Sequence, residues 1–132
     1  MALIEIVRDV HLSQDDAWNR LTDWRRHGDY VPLTSVQVTS TGFVARTGLG
    51  PLAFNDPMDI VLWEAPSFCR LEKRGRVVTG WAELSVTVRG ESTRVLWRED
   101  IHVTGMPRFA DAATKASSRK LFGRVIDGLL AN

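Results

Sequence analysis

Glu99 is the carboxyl group most out of place in this sequence. It stands between Trp97 and Ile101, on the phase of alternation those two apolar residues share. An ionised carboxylate there loses on the order of several kcal/mol of hydration unless a cation meets it. Arg8 is the matching anomaly, because it shares a face with Ile4 and Ile6. Such a pair on an apolar wall could orient a ligand or move a proton. A structural ion pair at the sheet rim accounts for the same two residues without function, and it is the weightier reading. Other chemistry-bearing residues are scattered. His11, His27 and His102 form no HxH or HxxxH spacing, so neither a metal nor another cofactor is expected. Gly48-Leu49-Gly50 lacks the strand–turn–helix setting of a nucleotide loop. There is no GxSxG elbow and no histidine near Cys69, so no catalytic residue is assigned from a motif. Arg70, Lys73, Arg74 and Arg76 read as a solvated hairpin tip broken by Glu72. Nucleic-acid binding would need a broader basic surface with stacking aromatics.

The element that must position Glu99 runs from Val77 to Thr104. Two long strands meet at Gly90-Glu91, and Gly at the first turn position suits a type II′ hairpin. If Arg89 pairs with Ser92, one face joins Val86 to Val95, Leu84 to Trp97, Ala82 to Glu99, Gly80 to Ile101 and Val78 to Val103. The other face joins Glu83 to Arg98, Thr87 to Arg94 and Thr79 to His102. Opposite charges across a ladder support this register. A first strand over residues 2–10 would carry Arg8. If it lies antiparallel to the last strand with Ile4 facing Val103, Arg8 faces Glu99 and Asp9 faces Arg98.

Ser13 is a good helix N-cap, and Asp15 and Asp16 suit the first turn. Ala17, Trp18, Leu21 and Trp24 then recur at helical spacing, and Arg25 to Pro32 reads as a second short helical turn. Strands follow over Ser35–Thr39, Phe43–Leu49, Met58–Trp63 and Phe68–Arg74, with a Gly-X turn at Gly75-Arg76. A helix at about 107–131 ends the chain. The stripe Ala110, Thr114, Ser118, Leu121, Val125, Leu129 could face the sheet. Its small first half allows either room beneath it or closer packing. The order predicts an α+β fold: a seven-stranded antiparallel meander, two short helices after the first strand, and one long helix across the sheet.

With 132 residues, the chain predicts a single domain over 1–132. A hydrophobic fraction of 44% and a charged fraction of 25% fit a soluble globular protein. The net charge of +1 gives no long-range pull toward nucleic acid or anionic lipid. Cys69 is the one cysteine, which fits a reducing compartment. The charged N-terminus is unlike a signal peptide, and no segment is long enough to span a membrane, so a cytoplasmic protein is expected.

Several stretches resemble the START-like superfamily, also called helix-grip or SRPBCC. They are Ser13 to Trp18, Leu21-Thr22-Asp23-Trp24 leading to Tyr30-Val31-Pro32, Trp63-Glu64-Ala65-Pro66, and Gly90 to Trp97 with the terminal helix. Within it the chain is similar to bacterial polyketide cyclase/dehydrase-like proteins. The resemblance covers nearly the whole chain and rests on architecture more than chemistry. It implies a helix-grip fold, with a curved seven-stranded sheet wrapped around the C-terminal helix. A cavity between them would take small apolar or amphipathic ligands. The expected ligand-binding residues are Arg8, Trp24, Tyr30, Leu84, Val86, Trp97, Glu99, Ile101, Ala113 and Ser118, with Trp24 and Tyr30 near the entrance. The alternative is a polyketide aromatase/cyclase or dehydratase, for which Glu99, Arg8 and Tyr30 are the only plausible polar set. Docking of a protein on the outer sheet face, with Trp81 exposed, is the weakest reading. A monomer or homodimer fits either of the first two.

Overall fold

The structure, a computed structural model, describes residues 2–105 and 107–131. The chain begins with β1 (Ala2–Val10), followed by α1 (Gln14–Leu21), α2 (Trp24–His27) and a 3-10 turn over Gly28–Tyr30. Next come β2 (Thr34–Val38), β3 (Gly42–Thr47), β4 (Phe54–Glu64), β5 (Phe68–Arg74), β6 (Val78–Arg89) and β7 (Ser92–Val103). After a 3-10 turn over Arg108–Ala110, α3 (Asp111–Ala131) closes the chain. The strands form one antiparallel, curled sheet of order β1-β7-β6-β5-β4-β3-β2. β1 therefore crosses to the far side of β7, and the short helices bridge it to β2 at the opposite edge. This is the α+β architecture expected from the order of elements, and the helix-grip fold that the resemblance implies.

The long hairpin has the expected register, from Val78 opposite Val103 to Arg89 opposite Ser92. Gly90 takes φ 62° and Glu91 a negative φ, the combination a type II′ turn requires. Ser13 caps α1 by accepting from the Asp16 amide at 3.0 Å. On the outer face Trp81 is not a free aromatic. The Arg70 and Arg98 guanidinium groups lie 4.7 and 5.8 Å from its ring centre and half-bury it.

Two strands depart from expectation. β4 begins at Phe54, four positions before the expected Met58, because β3 pairs with it from Thr47 opposite Phe54 onward. Pro57 is tolerated there: β5 joins β4 only from Met58, so Pro57 has a strand on one side alone. The β5–β6 connection is longer than a Gly-X turn, since pairing stops at Arg74 opposite Thr79. β4 also slips register between Ile60 and Leu62, which lets both Ile60 and Trp63 face inward, opposite Leu71 and Cys69.

The core lies at the hairpin-turn end of the sheet. Leu84, Val86 and Val95 pack there against Trp18 and Leu21 of α1 and against Val125, Ile126 and Leu129 of α3. Cys69 is fully buried among them, opposite Leu84. Burying one such leucine or valine contributes roughly 1.5–3 kcal/mol. The first half of α3 is different. Among its described side chains, Ala112, Ala113, Lys115, Ala116, Ser117, Arg119 and Lys120 are exposed, and Thr114, Ser118 and Leu121 turn partly inward. No helix among the described residues is long and apolar enough to cross a membrane.

Candidate functional site

A cavity of about 270 Å³ lies between the sheet and the middle of α3, next to the packed core, with Phe43, Leu71, Trp97 and Val125 belonging to both. That is close to the lower end of small-molecule pockets, roughly 300–1,000 Å³. Its wall is mostly apolar: Phe43 and Phe54 from β3 and β4, Trp97 and Ile101 from β7, and Leu121 and Phe122 from α3. From α3 the cavity is bordered by Ser118, Leu121, Phe122 and Val125, so of the small residues in the expected stripe Ser118 alone is among those lining it.

Three ionisable side chains meet in this wall. Lys73 projects from β5, Asp56 from β4 and Glu99 from β7. The Lys73 ammonium lies 3.1 Å from Asp56 Oδ2 and 3.5 Å from Glu99 Oε1, and its third contact is the Met58 thioether at 3.7 Å. Glu99 Oε2 accepts from the Trp97 indole N–H at 3.4 Å. The Lys73 and Glu99 side chains are only 2% and 1% exposed. The register explains how β5 reaches β7 across β6. Lys73 stands opposite Gly80 and Leu71 opposite Ala82, while Glu99 stands on the other side of Ala82. Ala82 is small on the inner face of β6, while at Gly80 a Cβ would run into the Asp100 carbonyl of β7, so glycine there answers the close approach of that strand.

One cation between two anions sets the electrostatics. For Lys73, burial alone would favour the neutral amine, but Glu99 and Asp56 together outweigh it and raise its pKa above the ordinary lysine value. It stays an ammonium. Burial raises the Glu99 pKa as well; Lys73 opposes the shift without cancelling it, and Asp56 adds to it. The shorter contact goes to Asp56, whereas Glu99 has both oxygens engaged, by Lys73 and by the Trp97 indole. Asp56 Oδ1 is buried with no hydrogen-bond partner among the described residues.

His27 closes another side of the cavity, with its ring centre 6.2 Å from that of Trp97. Its Nε2 is 2.7 Å from the Leu21 carbonyl, which can only accept, so Nε2 carries the hydrogen. Burial lowers the His27 pKa, against the opposing pull of that carbonyl.

The expected residues divide. Trp97, Glu99, Ile101 and Ser118 line the cavity together. Leu84 and Val86 do not, because they are packed into the core at the other end of the hairpin. Trp24 lies one layer behind, its ring stacked on Phe43 at 4.7 Å. Tyr30 packs against α3 at Gly128, and its hydroxyl accepts from Arg26 Nη2 at 3.3 Å. Ala113 is exposed on the outer side of α3, one position off the inward stripe. Arg8 does not meet Glu99. β1 lies four residues from the expected register, with Arg8 opposite Val95 and Ile4 opposite Glu99. Arg8 instead donates to Asp127 of α3 at 2.7 Å, and Asp9 takes Arg94 rather than Arg98. Lys73 is the cation of Glu99, not part of a solvated tip. A signal for it exists: Cys69, Leu71 and Lys73 share one phase of β5, as Phe54, Asp56 and Met58 do in β4.

No family model matches the sequence, and no curated protein is similar to it by sequence. Solved structures match along its length. A START superfamily protein from Mycobacterium smegmatis superposes with a TM-score of 0.78 at 8% identity, over 98% of this chain and 97% of that one. Ara h 8.0201 gives 0.68 at 9% identity, over 98% of each chain. DynU16, from the dynemicin biosynthetic locus, gives 0.62 at 20% identity, over 98% of this chain but 47% of the other. At such identities the likeness is one of fold: the chain has the START-like, SRPBCC helix-grip fold.

Proposed function

We propose that this protein binds a small apolar or amphipathic molecule in the cavity between the sheet and the middle of α3. The observation that carries the reading is an apolar wall holding a few placed polar groups, the usual composition of a ligand pocket. The START superfamily neighbour shares the architecture and supports it. The expected setting is the cytoplasm, with the protein as monomer or homodimer. Ser118 lies on the cavity side of α3 and is partly exposed, so Ser118→Trp can fill the space with little cost to the core. Uptake of a neutral environment-sensitive dye should be abolished in Ser118→Trp while circular dichroism stays native. Undiminished uptake by that folded variant would remove the site.

A second reading, cyclisation or dehydration of a polyketide, is favoured by one observation. The Glu99 carboxyl, raised toward its protonated form, stands in the cavity beside a lysine ammonium. A proton donor and an electrostatic stabiliser are what enolate chemistry needs. DynU16, with the same fold, comes from a biosynthetic locus. Turnover of a poly-β-ketone that vanishes in Glu99→Gln would establish this reading; none by the wild type would dismiss it.

A further inference from the structure

The polar end of the cavity carries one acceptor and one donor that the protein leaves under-used. Asp56 lines the cavity, and only its Oδ2 is engaged, by Lys73. Oδ1 is buried and unpartnered among the described residues. An unmatched buried acceptor costs on the order of 1–3 kcal/mol or more, so a donor from outside the protein gains what the fold has left unmade. Lys73 has three N–H groups. Two face Asp56 and Glu99, and the third has only the Met58 thioether, at 3.7 Å, a weak acceptor. Both groups stand in a wall that is otherwise largely hydrocarbon.

We infer that the ligand carries a neutral hydroxyl, alcoholic or phenolic, which donates to Asp56 Oδ1 and accepts from Lys73 Nζ. This rests on the binding reading above and names its chemical class. A hydroxyl is one group that does both at one atom. A carboxylate would face Asp56 and Glu99, and it could use only the lysine. An ammonium would face Lys73, and it could use only the acid. An aldehyde or ketone would leave Oδ1 unmatched. Condensation of Lys73 with such a carbonyl is disfavoured too, because two carboxylates hold its nitrogen as an ammonium.

Four probes of one shape test the inference by calorimetry on the intact chain at neutral pH: 2-naphthol, 2-methylnaphthalene, 2-naphthoate and 2-naphthylmethylammonium. The expected result is 2-naphthol binding at least about tenfold tighter than each of the others, the worth of a hydrogen bond to a charged group. Asp56→Leu should cut the advantage of 2-naphthol over 2-methylnaphthalene severalfold, to what Lys73 alone donates, while leaving the latter bound. Equal affinities in the wild type, or a carboxylate or ammonium in first place, would overturn the hydroxyl assignment. So would an advantage for 2-naphthol that is undiminished in Asp56→Leu. The wild-type ranking decides alone if that variant fails to fold. Binding of 2-methylnaphthalene without preference for 2-naphthol sinks this inference only. Failure of all four to bind sinks the apolar-cavity reading with it.

Discussion

At the scale of single residues, the three buried charges are not equivalent. Lys73 compensates two carboxyls, so Lys73→Met leaves Asp56 and Glu99 facing each other in an apolar wall. That variant should lose about 3–5 kcal/mol in urea denaturation, the usual result of stranding buried charge. Glu99→Gln should cost far less, within about 1 kcal/mol, because the closer Lys73–Asp56 pair survives and Trp97 keeps an acceptor. Equal losses would show that Glu99, not Asp56, is the main partner of Lys73. His27 has the opposite sense from Glu99. Its folded pKa is below the ordinary 6.5, so the unfolded chain binds the proton more readily. The stabilisation from a neutral His27 is present above that value and is lost as pH falls through the folded one. Raised Glu99 instead contributes below its ordinary 4.5, and that contribution is lost as pH rises through the folded value. Wild type should therefore lose more stability between about pH 7 and about pH 5 than His27→Gln, which can still donate to the Leu21 carbonyl. Parallel pH profiles would deny His27 that role.

Among the elements, what could be read from the chain depended on whether a local device specified pairing. In the β6–β7 hairpin, Gly90 sets the turn and Glu83 opposite Arg98 reinforces it, so residue partners follow from the chain itself. β1 has no turn joining it to β7. Its period of two assigns Ile4, Ile6 and Arg8 to one face, and a slide by four residues leaves that face unchanged. The face was legible; the partner of Arg8 was not, because α3 supplies Asp127 from the far end of the chain. Lys73 was missed for another reason. Its charge suggested solvent, whereas its phase with Cys69 and Leu71 placed it inside. The face that α3 turns to the sheet was legible from the stripe Thr114, Ser118, Leu121, Val125, Leu129; its close approach to the Tyr30 ring at Gly128 was not. A Cβ at Gly128 would lie 2.3 Å from Tyr30 Cε1. Gly128→Ala should cost about 1–3 kcal/mol through overpacking. Combined with Tyr30→Ala it should cost less than the sum of the two single changes, as a double-mutant cycle would show. Strict additivity would mean that the helix has shifted instead.

Taken whole, the molecule has a packed end and a hollow end, and one helix serves both. Ile126, Leu129 and Leu130 fasten α3 to the core, while Ser118, Leu121, Phe122 and Val125 roof the cavity without filling it. The fold can thus leave space at one end because the other end supplies the stability. Cys69 lies in the packed end. Burial pushes its thiol up to about 12, and none of its surface reaches solvent. The sole sulfhydryl of the chain is therefore a built-in clock. It should ignore an alkylating reagent in the native protein and react only when the sheet comes apart. With reagent in excess, its modification rate should equal the global unfolding rate followed by tryptophan fluorescence. Faster modification would reveal β4 and β5 parting by themselves. Equal rates would let a bound probe be scored by how far it slows a single covalent mark, far from the cavity that holds it.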